Sequence, residues 1–179
     1  MLSRQHSVLH IIDVQQRLFN VMNEKDTLRE NMVRLLRGMQ VLDVPVVWME
    51  QYPEGLGPTI PELSGLLKGM NPLEKMSFSS SRDPGFNEEL KKLGRNQITL
   101  MGIETHVCVY QTAADLIRRG FDVRVVADAC SSRTKQNHEY GIRAMESRGI
   151  KITTVEMALF ELLGEAGSDE FRKISRIIK

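Results

Sequence analysis

Short apolar segments alternate with amphipathic helical ones along almost all of this chain, and that alternation leaves few folds open to it. Residues 8–12, 46–49, 97–101 and 123–127 are brief, largely apolar runs that read as buried strands. Residues 151–154 supply a sixth strand, and the segment around Lys75 alternates like a short third strand or an extended loop. Between the strands lie helices. Thr27 can cap one reaching about Leu42, with Leu28, Met32, Leu35, Leu36 and Met39 on one face, and Val44-Pro45 ends it. Asp83-Pro84-Gly85-Phe86 opens another that Gly94 closes. Val109, Thr112, Ala113, Leu116 and Ile117 repeat at helical spacing until Arg118-Arg119-Gly120. A Gly/Pro-rich loop to Pro61 and a short segment over residues 62–68 follow the second strand, and further helices are expected over residues 134–147 and after Ser168. Strands separated by helices are joined in parallel by right-handed crossovers and need cover on both faces. The expected fold is therefore α/β, a three-layer α/β/α sandwich around a mainly parallel sheet. With no repeat and no linker, residues 1–179 read as a single domain, large enough to bury about 70% of its unfolded surface.

Three polar residues sit where such folds place chemistry. The run Gln97-Ile98-Thr99-Leu100-Met101 stops at Gly102, and Cys108 follows in what reads as the first turn of a helix. Free N–H groups and the positive end of the helix dipole favour a thiolate there, and the carboxyl edge of an open sheet is where ligands bind. Cysteine in a helix also serves as a small apolar filler. Asp13 ends the first strand, where an acid is solvated, caps the segment that follows, or is functional. Lys75 is a snorkelling surface side chain or a partner for the other two.

The order acid, lysine, cysteine resembles the isochorismatase-like hydrolase superfamily, whose cysteine members use an Asp-Lys-Cys triad. The likeness runs from Ile11-Ile12-Asp13-Val14-Gln15 through Glu74-Lys75 and Gly102-Ile103-Glu104-Thr105-His106-Val107-Cys108-Val109 to Val125-Val126-Ala127-Asp128-Ala129. Thr59, Glu62 and the run from Glu50 to Pro58 look like the metal-free subgroup that includes the animal isochorismatase domain-containing proteins. The resemblance implies a six-stranded, Rossmann-like sheet in the order 3-2-1-4-5-6, with Asp13 and Cys108 on adjacent central strands. It implies that Cys108 attacks a carbonyl to form a thioester and that Asp13 carries the proton. Lys75 would lower the thiol pKa below its usual value of about 8.5 and steady the acid. The backbone N–H groups of Glu104 and Cys108 would form an oxyanion hole beside a cis Ile103–Glu104 bond. Phe19, Tyr52 and Thr105 would contact substrate.

Departures from the family narrow the reading. Metal-binding relatives carry Asp-x-His and further histidines after the second strand, whereas this chain has Glu50-Gln51-Tyr52 there and no histidine between His10 and His106. No metal and no cofactor are expected. Relatives that cleave a vinyl ether generally lack the cysteine, so Cys108 favours amide hydrolysis over that alternative. A thiol-based redox protein using Cys108 and Cys130 is a further alternative. His106, two residues from Cys108, is expected on a different face.

A net charge of +1 gives no electrostatic case for nucleic acid. The polar start shows no secretory or membrane segment, and two cysteines fit a reducing, cytoplasmic compartment better than a disulfide scaffold. The stripe Phe171, Ile174, Ile177 and Ile178 needs cover, and self-association into a dimer or larger homo-oligomer, through this helix or the Cys108 helix, is the expected source.

Overall fold

Six strands lie side by side in one parallel sheet, ordered 3-2-1-4-5-6, in a computed structural model that describes residues 1–179. They are β1 (Ser7–Ile12), β2 (Val46–Gln51), β3 (Leu73–Lys75), β4 (Gln97–Ile103), β5 (Asp122–Ser131) and β6 (Lys151–Thr153). Every neighbouring pair runs parallel. All six residues of β1 are buried, which is why it reads as a continuous apolar run. Its side chains alternate between two cores. Leu9 and Ile11 point into one, Val8 and Ile12 into the other.

The helices are α1 (Gln16–Phe19), α2 (Lys25–Val41), α3 (Pro53–Leu56), α4 (Pro61–Ser64), α5 (Pro84–Leu93), α6 (Tyr110–Arg118), α7 (Lys135–Glu146), α8 (Val155–Leu163) and α9 (Asp169–Ile178). The first core draws on α2, α8 and α9, and the second on α5, α6 and α7, so both faces of the sheet are covered. The expected stripe on α2, Leu28 to Met39, is buried as read. Asp83 caps α5 through the Phe86 N–H and Thr134 caps α7 through the Asn137 N–H. No helix is long and apolar enough to cross a membrane.

Two differences from the sequence reading matter. The helix α8 was not anticipated: its apolar residues cover nearly the whole circumference, so no single stripe marks it, although Thr154 caps it through the Met157 N–H. The α9 stripe needs no second copy for its cover. Ile174 is fully buried against α2 and α8 of the same chain, and Phe171 packs on Phe160 with ring centroids 6.5 Å apart.

Around the sheet centre the strands come unusually close. Gly102 follows Met101 within β4 at φ 146°, paired with Ile12, and a Cβ there would stand 2.2 Å from the Ile12 carbonyl oxygen. Glycine alone lets β4 pass the end of β1 at this point. Between Leu100 and Gly102 the pairing with β5 jumps from Val125 to Cys130, leaving residues 126–129 as a bulge.

Candidate active site

Asp13 leaves β1 with φ 55° and is fully buried, its N–H donating to the Met49 carbonyl at 3.1 Å. From the end of β3 the Lys75 side chain reaches the same point without exposure to solvent. Its Nζ donates to Asp13 Oδ2 at 2.7 Å, to Gln51 Oε1 at 2.9 Å and to the Phe78 carbonyl at 3.3 Å. A lysine ammonium has three N–H donors, and all of them are engaged.

Cys108 is the second neighbour of Asp13. It lies in a widened, π-helical turn (Thr105–Val109) that precedes α6, rather than in the first α-turn expected from the sequence. The Ile103–Glu104 peptide that opens this turn is cis. Both the Val107 and Val109 N–H groups donate to the Glu104 carbonyl, at 3.0 and 3.3 Å. Asp13 Oδ1 is buried without a hydrogen-bond partner, and the Cys108 thiol is a neighbour of the same carboxyl.

The electrostatics reverse one expectation. Burial, then the Asp13 charge, pushes the Cys108 thiol well above its ordinary range, and Lys75 only partly offsets them. Helix-end donors and Lys75 therefore do not hold a free thiolate here. The site is buried and the ammonium is already committed to other oxygens. Burial also pushes the Asp13 carboxyl up, with Lys75 pulling it back. The resting arrangement is a thiol beside a strong, poorly solvated base.

Two residues that the sequence reading did not place in the site organise it. Gln51 holds Lys75 with its oxygen and donates its Nε2 to the Met76 carbonyl at 2.8 Å. Gln15 is fully buried and ties the strand ends together, donating to the carbonyls of Gln51 and Gly57 at 2.9 and 2.7 Å and accepting the Gln51 N–H at 2.8 Å. Neither has a local signal beyond being polar next to an apolar strand. Glu50 turns away from Lys75 and accepts both the N–H and the hydroxyl of Thr59 at 2.7 Å, while Trp48 donates to that hydroxyl. Glu62 pairs with Arg29 at 3.2 Å.

The expected pocket residues divide. Tyr52 stands at the rim of a depression of about 620 Å³ that reaches Lys75 and is also lined by Glu54, Glu74, Met76 and Arg82. Phe19 is not among its walls: it is buried in the core, with Arg29 over its ring, and edges a separate depression of about 230 Å³. Thr105 is fully buried and its hydroxyl pairs with His138 Nδ1 of α7 at 2.9 Å. His106 pairs with Ser132 Oγ at 2.9 Å. Cys130 borders another cavity, of about 380 Å³, beside Asn31 and His138. Its thiol is free of any disulfide and donates to the Leu100 carbonyl at 4.0 Å, and burial pushes it up to about 12.

Residues 7–157 match the family model of the isochorismatase domain. The chain belongs to the isochorismatase family. Isochorismatase domain-containing protein 2 of Rattus norvegicus is 36% identical over 176 residues, covering 98% of this chain and 82% of that protein. Among solved structures, a protein described as MAR1 ribonuclease from Caenorhabditis elegans superposes with a TM-score of 0.92 at 33% identity, over 99% of this chain and 91% of that one. The YcaC gene product of Escherichia coli, described as an octameric hydrolase of unknown specificity, gives a TM-score of 0.89 at 22% identity, over 99% and 86% of the two chains. The isochorismatase fold and hydrolase family membership thus rest on both sequence and structure.

Proposed function

We propose that this isochorismatase-family protein hydrolyses a carbon–nitrogen amide bond of a small molecule through a thioester on Cys108. The observation that carries the reading is the buried Asp13 carboxyl, held on one oxygen by a fully engaged Lys75, without a partner on the other, and beside the Cys108 thiol. As sulfur attacks the carbonyl carbon, its proton passes to Asp13. The oxyanion that forms is assigned to the backbone N–H groups of Glu104 and Cys108. Collapse breaks the C–N bond, and Asp13 returns the proton to the leaving amine. A water then attacks the thioester, Asp13 takes its proton, and the carboxylic acid leaves as the thiol is restored. The raised thiol suits this sequence, because proton transfer and attack are coupled and no idle thiolate waits to be oxidised. A nucleophilic cysteine also favours this over vinyl-ether cleavage and, with Asp13 beside it, over a redox role.

A ribonuclease reading, raised by the name of the C. elegans neighbour, finds little support. Phosphates need facing cations. The depression at Lys75 presents Glu54 and Glu74, its Arg82 is paired with Asp115 at 3.0 Å, and the Lys75 ammonium is consumed internally. Metal independence belongs to the same proposal, since Glu50 and Gln51 are engaged by Thr59 and Lys75. Free cysteines suit a reducing, cytoplasmic setting. Self-association is proposed as well. Tyr52, Met76 and Phe78 are 46%, 72% and 54% exposed around the approach to Lys75, and the YcaC neighbour is described as octameric.

The test is a panel of small amides followed by ammonia or amine release. Cys108→Ser and Asp13→Asn should each lower turnover of the best substrate by roughly 10³-fold or more, and intact-mass measurement should detect the acyl adduct on wild-type protein. Chelator treatment should leave the rate unchanged. Turnover that survives in Cys108→Ser would remove the thioester from consideration, and loss of activity on chelation would remove metal independence.

A further inference from the structure

The turn that carries Cys108 is held from one direction by three successive side chains. Glu104 accepts both the backbone N–H and the Nε of Arg133, at 2.9 and 3.2 Å; Thr105 pairs with His138; His106 pairs with Ser132. Two of the partners, Ser132 and Arg133, follow the end of β5, and the third, His138, lies in the first turn of α7. On the same side Gly141 of α7 presses so close that a Cβ there would stand 3.0 Å from the His106 backbone. Of these contacts only the Glu104–Arg133 pair brings a full charge to the nucleophile. The Glu104 carboxylate is 8% exposed, Arg133 is the cation bonded to it, and the Arg133 side chain is itself 60% exposed.

We propose that Arg133 is a positioning residue for the nucleophile: it neutralises and holds the buried Glu104 carboxylate, and so sets how readily Cys108 gives up its proton. This rests on the reading of Cys108 as the reactive thiol. The charges that act on the thiol are few. Asp13 and Glu104 oppose its ionisation and Lys75 favours it, while from α7 the half-buried His138 meets the turn only through Thr105. Lys75 is committed to Asp13, Gln51 and Phe78. That leaves Glu104, at the head of the turn that carries Cys108, as a second and weaker negative charge on the thiol, with Arg133 as its counterweight. A buried carboxylate stripped of its cation acts on a neighbouring thiol with its full field, and it also loses the bond that fixes the Glu104 backbone at the proposed oxyanion hole. Since Arg133 reaches in from the surface, the pair can be altered without opening the core.

The experiment is iodoacetamide labelling of the full-length protein across about pH 7 to 10, read by mass spectrometry of the Cys108 peptide. Arg133→Met should slow labelling near neutral pH by about threefold or more and move the profile to higher pH. Arg133→Lys, which keeps the charge, should recover most of the wild-type rate. Glu104→Gln should label faster than wild type, and combined with Arg133→Met it should abolish the defect. High salt should shrink the difference between wild type and Arg133→Met, because the arginine is exposed. A purely structural role would lower the melting midpoint without moving the pH profile or responding to Glu104→Gln. Superposed profiles for wild type and Arg133→Met, or a defect that Glu104→Gln leaves in place, overturns the proposal while leaving Cys108 as nucleophile. Wild-type Cys108 that stays unlabelled while Cys130 reacts overturns both.

Discussion

A buried histidine on the strand that leads to Asp13 shows how a single side chain can link the candidate site to the stability of the fold. His10 on β1 is fully buried, with Nδ1 3.1 Å from the Val47 carbonyl and Nε2 2.8 Å from Ser80 Oγ. A carbonyl only accepts, so Nδ1 carries the proton and Nε2 accepts from the Ser80 hydroxyl. Ser80 follows the loop whose Phe78 carbonyl receives Lys75, so this pair anchors the lysine's surroundings to β1. Burial pulls the His10 pKa down to about 3, against a backbone bond that raises it. Since the unfolded chain takes up a proton near 6.5 and the folded one does not, His10 supports the fold fully above that value. The contribution fades as pH falls towards about 3. Between pH 6.5 and 5 the linkage amounts to about 2 kcal/mol. Urea unfolding of His10→Gln should therefore show a protein weaker than wild type at neutral pH but losing about 2 kcal/mol less on acidification to pH 5. Parallel losses in both proteins would mean that His10 is not the group that titrates. Of the site residues, Asp13, Lys75 and Cys108 stand at strand ends or a helix approach and could be picked from the sequence. Gln15 and Gln51 could not, since nothing local tells a buried amide from a solvated one.

Elements bring these residues together through strand order and close approach. Asp13 follows β1 and Cys108 follows β4, and the two strands pair from Ser7↔Gln97 to Ile12↔Gly102. The alternation of strands and helices was readable because parallel strands buried on both faces leave unbroken apolar runs. The π-helical turn was not, since its widening arises from how β4 leaves the sheet and how α7 seats against it. Gly141 is the contact that tests this. Alanine there must push the His106 backbone by a few tenths of an ångström, since its Cβ would lie 3.0 Å from His106 N and Cα. Gly141→Ala should lower kcat by about tenfold, through misplacement of the thiol and oxyanion donors, while KM and the melting midpoint change little. Equal losses in kcat and in stability would point to general loosening of α7. Helix α8 escaped notice for a different reason: it packs on α2 and α9, but its exposed side carries apolar Met157 beside Glu156, so no polar face contrasts with the buried one.

Assembly is where the chain's covered and uncovered surfaces part company. The stripe on α9 is satisfied within the chain, so truncation after Gly167 should cost stability rather than association. Uncovering Ile174 alone forfeits about 2 kcal/mol, and Phe171, Ile177 and Ile178 add to it. Light scattering at micromolar concentration should show an oligomer for the full chain. The truncated chain should keep that state but melt at a lower temperature. A monomer at every concentration would rule out self-association, and an unchanged melting midpoint after truncation would return α9 to an external partner. The α/β class, the strand positions and the α2 face could all be read from residue order, because hydrophobic periodicity is a local property and burial on two faces leaves its mark in short windows. The candidate residues Asp13, Lys75 and Cys108 were weak signals singly and stood out through their order along the chain and the family resemblance it carries. Their working state could not be read that way. Whether Lys75 meets the sulfur or is consumed by Asp13, Gln51 and Phe78, whether the thiol is raised or lowered, and whether α9 finds cover at home depend on contacts between residues far apart in the chain. Desolvation and charge are set by the volume around an atom, and that volume exists only once the strands have crossed over and packed.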